Sequence, residues 1–568
     1  MDRRSLLKGI SAAGALGCMS RNALAIDGKT SSAHPGGPAW LRDAVFYQIY
    51  PQSFFDTNGD GVGDLKGIEA KLDYIHSLGC NALWLNPIFE SPFGDAGYDI
   101  SDYFKVAPRY GTNDDLKSLA AALHKRGMRI CLDLVAGHSS IEHPWFKASA
   151  SEQPNKYSDW YIWIPKDEKA WNSHMPPEFP GQKNRDQKYI ANFFEFQPAL
   201  NYGYYKPDPE HPWQKSYTDP ACRAVQQNLR DIMAFWLDLG VDGFRVDMAS
   251  SLIRGDKDGD GIRALWAENR KWMNEKYPEA VLISEWSHPK KAIPAGFNID
   301  FMIHFNQPAY RDLVGPEYPP IDGGRRKTDV FFEKAGKGDI TKFVTNYLEN
   351  YEPTRELGYI ALPTANHDFP RPTWGRSEAE VRVLFAMLFT MPGVPFLYYG
   401  DEIGMQYLAK SPEKEGANKN DGIRAGTRTP MQWSEEANAG FSTGKAADLY
   451  LPVDPDPKRP NVADAEKNPQ SMLHFTRKLI ALRKSEAALA NTAGFRVLYA
   501  EKEKTPFVYL RSDGTKSVLV AVNPTGEAVT VPISGVKAGK QLLAQGAKFV
   551  KGSLTMEAVS FCIYEVKA

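Results

Sequence analysis

Continuous apolar runs, separated by stretches with helical spacing, dominate the chain between about residues 44 and 404. The runs lack the alternation of half-exposed strands, which is typical of parallel strands buried on both faces. Eight strand-like runs joined by helical patterns predict an α/β protein built on a (β/α)8 TIM barrel. A doubly wound open sheet is the alternative, but no glycine-rich phosphate loop follows the first run. The eight predicted strands lie within residues 44–51, 81–89, 129–135, 243–247, 280–286, 301–305, 359–368 and 393–404.

Two further segments depart from the barrel pattern. Residues 139–196, after the third predicted strand, are rich in Trp, Pro and charge and are too long for an ordinary βα loop. They predict an inserted subdomain B, which divides the barrel domain into residues 26–138 and 197–490. Residues 491–568 change to alternating strands with SDG, NPTG and SGVKAG turns, which predicts a C-terminal antiparallel β-sandwich domain.

The first 25 residues have the pattern of a secretory signal peptide. Arg3 and Arg4 precede an apolar stretch rich in Ala and Gly and a small-residue cleavage site at residues 23–25. The paired arginines resemble a twin-arginine export signal, so we expect cleavage before Ile26 and a periplasmic or secreted protein. A lipoprotein signal that ends at Cys18 is the alternative.

Composition narrows the possible partners. The net charge is -1, whereas nucleic-acid and anionic-membrane partners select a strong basic excess. After the signal no 20-residue apolar segment occurs, so the sequence predicts no membrane span. Aromatic residues reach 12%, with 13 Trp and 26 Tyr, which suits a protein that binds carbohydrate.

Three predicted strands end in a carboxylic acid, where the functional residues of such barrels gather. The acids are Asp247 in GFRVDM, Glu285 in LISEWS and Asp368 in TANHD. Glycoside cleavage needs one carboxylate as nucleophile and a second acid as proton donor, and a third acid can hold sugar hydroxyls. Arg245, two residues before Asp247, points to the same side of its strand and can keep that carboxylate ionised.

The loop sequence DTNGDGVGD, after the first strand, carries oxygen ligands at alternate positions. Hard oxygen donors in a short glycine-rich loop suit a structural Ca²⁺ ion, and an acidic turn without metal is the alternative. For the second acidic run, at residues 256–260, a solvated loop is the favoured interpretation. The predicted Ca²⁺ ligands are Asp56, Asn58, Asp60, the Val62 carbonyl and Asp64.

The motifs DLVAGHSS, QPALN, GFRVD, ISEW, ANHD and GVPFLYYGDEIG, in this order, resemble those of the α-amylase family, glycoside hydrolase family 13. The resemblance covers nearly the whole chain after the signal. It implies Asp247 as nucleophile, Glu285 as acid/base and Asp368 as transition-state stabiliser. Around the sugar it implies a set of binding residues, with the first as a platform under the ring: Tyr98, Asp99, His138, Arg245 and His367.

DTNGDGVGDLKGI, QPALNY and RTPMQW resemble the subgroup of oligo-1,6-glucosidases, α-glucosidases, sucrose isomerases and trehalose synthases. The last motif places Arg428 near the bound sugar. This resemblance implies a retaining α-glycosidase that hydrolyses short α-linked gluco-oligosaccharides from the non-reducing end. A glucosyltransferase or isomerase of the same family and an endo-acting α-amylase are alternatives. A catalytically silent barrel, as in amino-acid transporter heavy chains, is disfavoured because the acids are present.

Three positions depart from the family pattern and bear on substrate choice. Gly137 stands where the family usually has Asn, Met248 replaces the usual Val, Ala or Thr after the nucleophile, and Trp286 follows the acid/base. We expect the Trp286 ring to narrow the acceptor side. Because Met is long and adaptable, we expect a relaxed enzyme that takes α-1,4-glucosides and some other α-links.

Overall fold

A computed structural model of the protein describes residues 37–168, 178–181, 185–303, 308–315, 329–417 and 424–567. The predicted signal peptide, residues 1–25, lies outside the described residues. Within the ranges given, no helix has the length and apolar character needed to span a membrane.

Eight parallel strands close into a barrel in which every strand pairs with its neighbours in chain order, and the last pairs with the first. The predicted (β/α)8 barrel is therefore confirmed. Its strands are β1 (Phe46–Ile49), β2 (Ala82–Leu85), β3 (Arg129–Val135), β4 (Gly243–Asp247), β5 (Val281–Ser284), β6 (Ile299–Phe301), β7 (Tyr359–Pro363) and β8 (Val394–Tyr398).

The sixth strand begins earlier than its predicted position at residues 301–305. It covers Ile299–Phe301, with Ile299 beside Ile283 and Asp300 beside Ser284 on β5. The prediction was wrong because it followed the apolar run FMIHF, whereas a buried acid occupies the middle of the real strand. A charged residue in the middle of a strand of only three residues hides that strand from a periodicity argument.

The barrel helices carry ordinary end signals. Helix α3 begins with a capping box between Thr112 and Asp115, and α5 ends at Gly240 in the left-handed conformation. The helices are α1 (Leu65–Ala70), α2 (Leu72–Ser77), α3 (Asn113–His124), α4 (Pro144–Ser149), α5 (Pro220–Leu239), α6 (Asp260–Lys276), α7 (Pro289–Ala295), α8 (Pro308–Val314), α9 (Ile340–Thr354), α10 (Glu378–Leu388), α11 (Val462–Lys467) and α12 (Met472–Ser485). Short 3-10 helices cover Ala39–Asp43, Pro51–Ser53, Asp401–Ile403, Arg424–Thr427, Ala437–Gly440, Ala446–Asp448 and Ala487–Leu489.

Aromatic rings fill the barrel interior and form the floor beneath the strand ends. Phe396 stacks on Phe46 at 4.4 Å between ring centroids and contacts Phe301 edge-on at 4.7 Å. Trp84 lies 5.4 Å from Phe301 and 6.0 Å from the His367 ring above it. The polar strand ends therefore rest on a packed apolar layer that fixes their height and direction.

The long segment after β3 contains α4 and a three-stranded antiparallel sheet of Trp163–Pro165, Glu178–Pro180 and Gln187–Ile190. Isolated bridges from His138 to Ala199 and from Tyr161 to Leu200 join this segment to the end of β3. A two-stranded ribbon of Phe89–Glu90 and Asp102–Val106 follows β2. These pieces stand at the C-terminal edge of the barrel.

The C-terminal strands form one antiparallel hydrogen-bonded sheet, which confirms the predicted antiparallel β domain. One sheet face joins the main core through Phe507 and Tyr509, and the other encloses a second core around Leu519 and Phe549. The strands are β9 (Gly494–Tyr499), β10 (Phe507–Ser512), β11 (Ser517–Asn523), β12 (Val529–Pro532), β13 (Lys537–Val550) and β14 (Ser553–Lys567).

Candidate active site

Acidic side chains meet at the C-terminal edge of the barrel. Asp133 lies in β3, Asp247 is the last residue of β4, Glu285 directly follows β5, and Asp368 follows β7. In-register pairing of β3, β4 and β5 brings the first three to the same edge. Parallel strands must deliver their carboxyl-end residues to one rim, so separate sequence motifs converge.

Arg245 organises three of these acids. Its Nη1 contacts Asp133 Oδ1 at 2.8 Å and Asp247 Oδ1 at 2.9 Å, and its Nη2 contacts Glu285 Oε1 at 2.7 Å. The guanidinium is 2% exposed, so these contacts lie in a poorly solvated environment. The backbone amide of Met248 donates to Glu285 Oε2 at 3.2 Å, which restrains the second oxygen of that carboxyl group.

The two acids bridged by Arg245 have different proton affinities. Burial raises the pKa of Glu285 to about 8, and the charges of Asp247 and Asp368 add to that effect against the opposing charge of Arg245. Burial also raises the pKa of Asp247 to about 6, although Arg245 opposes it. Near neutral pH Glu285 therefore holds a proton while most of Asp247 is ionised.

Asp368 is held in its ionised form. Burial opposes ionisation, but hydrogen bonding to His367 and the nearby arginines hold the pKa of Asp368 well below its usual range. Arg424 Nη1 and Arg428 Nη2 reach Asp368 Oδ1 at 3.1 and 3.2 Å, and His367 Nε2 lies 3.1 Å from Oδ2. Two cations on one oxygen make this the most firmly charged of the three predicted catalytic acids.

Tyr98 links the acids around Arg245 to the pair formed by His367 and Asp368. Its hydroxyl donates to Asp133 Oδ2 at 3.0 Å and lies 2.7 Å from His367 Nε2, and the two rings stack 5.6 Å apart. The Gln48 amide nitrogen is 3.1 Å from His367 Nδ1, so Nδ1 accepts and Nε2 carries the proton. Burial lowers the pKa of His367 to about 4, so the ring is neutral at pH 7.

His138 is fully buried, and both its ring nitrogens have protein partners. Nε2 faces the Tyr98 carbonyl at 3.1 Å, and the Asn192 amide nitrogen lies 3.2 Å from Nδ1. Asn192 also donates to the Gly137 carbonyl at 3.0 Å and accepts from Arg254 at 3.0 Å. Asn192 comes from the inserted segment, so the wall beside His138 is shared between that segment and the barrel.

Gly137 leaves room for this amide. A Cβ atom at Gly137 would lie 3.0 Å from Asn192 Nδ2, 3.5 Å from a Leu252 methyl group and 4.0 Å from Met248 Sδ. The Asn192 amide therefore occupies space directly next to Gly137, where a side chain would otherwise lie. Met248 adopts a left-handed backbone with φ of 50° directly after Asp247.

The other predicted sugar contacts differ in their surroundings. The Asp99 carboxylate accepts hydrogen bonds from Ser91 and from the amides of Gly94 and Asp95, so it also orders its own loop. Burial raises the pKa of Asp99 to about 6. Arg428 donates through Nε to the His367 carbonyl at 2.8 Å, so it contacts the backbone before Asp368 as well as the Asp368 carboxylate.

Trp286 lies just beyond the end of β5 and is as buried as Tyr98, with 8% of its surface exposed. Its ring contacts Phe297 edge-on at 6.3 Å between centroids. The expectation that it narrows the acceptor side stays a prediction.

Three residues that take part in this network were not predicted from the sequence. Asp133 was detectable as an acid inside the apolar run RICLDLV, and Arg424 as a second arginine one helical turn before Arg428. Arg424 contacts Asp368 and lies 3.6 Å from Asp95, which also accepts from Gln197. Asn192 gave no signal, because its role depends on a cross-segment contact that no local pattern records.

The predicted Ca²⁺ loop lies apart from this network and is ordered by its own hydrogen bonds. Asp56, Asn58 and Asp60 each accept from the amide two residues ahead, which curls the loop. Asp64 caps α1 through the Gly67 amide. The oxygen donors suit Ca²⁺ chemically, but in the described part of the chain no three His, Cys, Asp or Glu side chains form a metal-binding group.

Comparison with known proteins agrees with this geometry. The family model "Alpha amylase, catalytic domain" matches residues 48–492. The chain belongs to the α-amylase family, glycoside hydrolase family 13, and it is an enzyme of the glycosidase type that this family defines.

Relatives within the family have several named activities. An oligo-1,6-glucosidase of Parageobacillus thermoglucosidasius is 32% identical over 85% of this chain and 90% of its own. A trehalose synthase of Pimelobacter sp. is 32% identical over 79% of this chain and 81% of its own. The structure of trehalulose synthase MutB from Pseudomonas mesoacidophila has a TM-score of 0.75 and 28% identity, covering 94% of this chain and 100% of that chain.

Proposed function

We propose that the protein is a retaining α-glycosidase of the α-glucosidase type, which hydrolyses short α-linked gluco-oligosaccharides. The observation that carries this proposal is the Arg245 bridge between Asp247 and Glu285. One guanidinium holds both carboxyl groups close together, as a retaining mechanism requires at about 5–5.5 Å, rather than far enough apart for an intervening water.

The proton affinities assign the roles. Ionised Asp247 attacks the anomeric carbon, while protonated Glu285 gives its proton to the departing glycosidic oxygen. A covalent glycosyl-enzyme results. Glu285, now ionised, takes a proton from water as that water attacks the same carbon, and Asp247 leaves as a carboxylate. Both displacements invert the anomeric centre, so the overall configuration is retained.

Asp368 supplies fixed negative charge where the oxocarbenium-like transition state develops positive charge. Tyr98 forms the platform under the sugar, and the remaining binding residues orient its hydroxyls. Neutral imidazoles suit this site because they add no cation near the reacting carbon. The binding residues are Tyr98, Asp99, His138, Arg245, His367 and Arg428.

Transfer to a sugar acceptor is the second candidate function, because it uses the same glycosyl-enzyme. A MutB mutant has been solved with its substrate sucrose and has a TM-score of 0.77 to this chain, and trehalose synthases are among the 32% identical relatives. The test is product analysis after incubation with maltose, isomaltose, sucrose and trehalose. Free glucose as the main product supports hydrolysis, an isomeric disaccharide supports transfer, and no turnover of any of the four contradicts both.

Linkage choice is proposed to be relaxed, with α-1,4-glucosides and some other α-links accepted. Met248 supports this because its Sδ lies 4.0 Å from where a Cβ atom of Gly137 would be, and an unbranched side chain there can change rotamer to suit different acceptors. Comparing kcat/KM on maltose and isomaltose for the wild type, Met248→Val and Met248→Thr tests this. An unchanged ratio in all three proteins would remove Met248 from the account.

We further propose a structural Ca²⁺ ion in the loop of residues 56–64 and export of the protein to the periplasm or the medium. Oxygen donors at alternate loop positions support the ion, and the twin-arginine-like pattern supports export. Mass spectrometry of the native protein should find Ile26 at the N-terminus. An intact Met1 or a lipidated Cys18 would contradict this export route.

A further inference from the structure

A buried carboxylate that the proposed mechanism does not use holds the chain on both sides of Glu285. Asp300, in the middle of β6, has no exposed surface. Its Oδ1 accepts from the Ser284 hydroxyl at 2.6 Å and from the Trp286 amide at 3.1 Å, and its Oδ2 accepts from the His288 amide at 2.8 Å. These bonds reach from one residue before Glu285 to three residues after it.

Strand register explains why Asp300 acts on the backbone rather than on the Glu285 side chain. Ser284 lies between Val246 of β4 and Asp300 of β6, and all three point away from the barrel axis. Glu285 is the next residue and points inward to Arg245. The two carboxyl groups therefore lie on opposite faces of the same strand end.

The turn that Asp300 fixes would not hold its shape unaided. Ser287 has a left-handed φ of 58°, which is uncommon for a residue other than glycine and is strained unless its surroundings enforce it. Among the described residues Asp300 faces hydrogen-bond donors and no cation. A fully buried acid is expensive without such donors, so its position here needs a reason beyond packing.

We propose that Asp300 is a positioning residue for Glu285, fixing the backbone around the acid/base so that its carboxyl group meets the glycosidic oxygen. The inference rests on the proposed function. Proton transfer requires a heavy-atom separation of about 2.6–3.2 Å, and a displacement of about 1 Å costs on the order of 100-fold in rate. Loosening this turn should therefore harm the step that needs the proton and spare steps that do not.

The test compares two substrates of the full-length mature enzyme. Maltose has a poor leaving group that needs protonation, whereas α-glucosyl fluoride does not. Asp300→Asn should lower kcat/KM on maltose by about 10- to 100-fold and on the fluoride by less than about threefold. Ser284→Ala, which removes one of the bonds, should show a smaller loss with the same preference, and it serves if Asp300→Asn does not fold.

Asp242→Asn is the matched control. Asp242 is also a buried acid, 8% exposed, and accepts from the Ile130 amide at 2.9 Å, but it precedes β4 at the opposite end of the barrel. Its replacement should leave the ratio between the two substrates unchanged. Equal losses on both substrates in folded Asp300→Asn, or no loss on maltose, would overturn the inference. A wild-type enzyme inactive on both substrates would instead overturn the proposed function.

Discussion

At the scale of single residues, the division of labour between Asp247 and Glu285 is directly testable. Asp247→Asn removes the nucleophile and should lower kcat on maltose by about 10⁴-fold or more while the fold persists. Glu285→Gln should lower kcat/KM on maltose by about 10²–10⁴-fold and should partly recover on α-glucosyl fluoride, whose departure needs no proton donor. The measurement is steady-state kinetics of both variants on both substrates.

Glu275→Gln, on the exposed face of α6, is the control and should match the wild type. An Asp247→Asn variant that is rescued by the fluoride, or a Glu285→Gln variant that is not, would reverse or remove the assigned roles.

A second prediction for single residues concerns the packing of the Asn192 side chain against Gly137. Gly137→Asn should lower the free energy of unfolding by about 1–3 kcal/mol, because its Cβ would approach the Asn192 amide to 3.0 Å. Adding Asn192→Gly removes that contact, so the double variant should lose less stability than the sum of the two single changes. Thermal unfolding of the two single variants and the double variant measures this coupling.

Asn155→Ala, in the same inserted segment but with its amide bonded to the carbonyls of Ala148 and Gln153, is the control for general effects there. Strictly additive effects of the Gly137 and Asn192 changes would mean that the two positions do not share this space.

Some residues of the site could be predicted from the sequence and others could not. Asp247, Glu285 and Asp368 end or follow apolar strands, and a charged residue at such a point can be recognised from the sequence alone. Asn192 was not visible, because its amide reaches His138 from 54 residues away along the chain.

At the scale of elements, strand positions followed from the apolar runs, even where β3 contains Asp133 and β4 contains Arg245. β6 is the exception, since Asp300 interrupts its apolar character and moved the prediction two residues downstream. The residue that obscured the strand is the one we assign to positioning Glu285. The apolar pattern of a buried strand is interrupted here by an acid, and the proposed role of that acid in the site offsets the cost of burying it.

The loop of residues 56–64 gives the element-scale prediction. If it binds Ca²⁺, chelation should lower the melting temperature by mass action. Free Ca²⁺ at 100 times the Kd of the site adds about 2.7 kcal/mol to the free energy of unfolding. Asp60→Asn should weaken the metal content measured by elemental analysis. Asp258→Asn, in the second acidic run, should leave it unchanged.

The loop already has hydrogen bonds that hold it together, so its folding alone is not evidence of metal. A native protein that contains no Ca²⁺, with a melting temperature indifferent to chelation, would leave these as structural hydrogen bonds only.

At the scale of the whole molecule, the two proton affinities set the pH dependence of activity. Asp247 must be ionised, so kcat/KM should fall as pH drops through about 6 and the nucleophile becomes protonated. Glu285 must be protonated, so kcat/KM should fall as pH rises through about 8 and the acid is lost. A bell-shaped profile on maltose is expected, and its alkaline limb should vanish for Glu285→Gln acting on the fluoride.

An alkaline limb that persists in that variant would assign the upper titration to another group, and a rate that still rises above pH 9 would contradict a protonated Glu285 altogether. Profiles measured with thermal unfolding at each pH separate loss of catalysis from loss of fold.

The strand ends of the barrel bring the acids together around Arg245. This arrangement predicts that the anomeric configuration is retained. Proton NMR of the glucose released from α-glucosyl fluoride, whose leaving group is not a sugar, tests it most directly when recorded before mutarotation. The account predicts α-glucose as the first product, because two displacements through Asp247 return the anomeric centre to its starting configuration. If β-glucose appears first, a single displacement by water has occurred, and Asp247 is not the nucleophile.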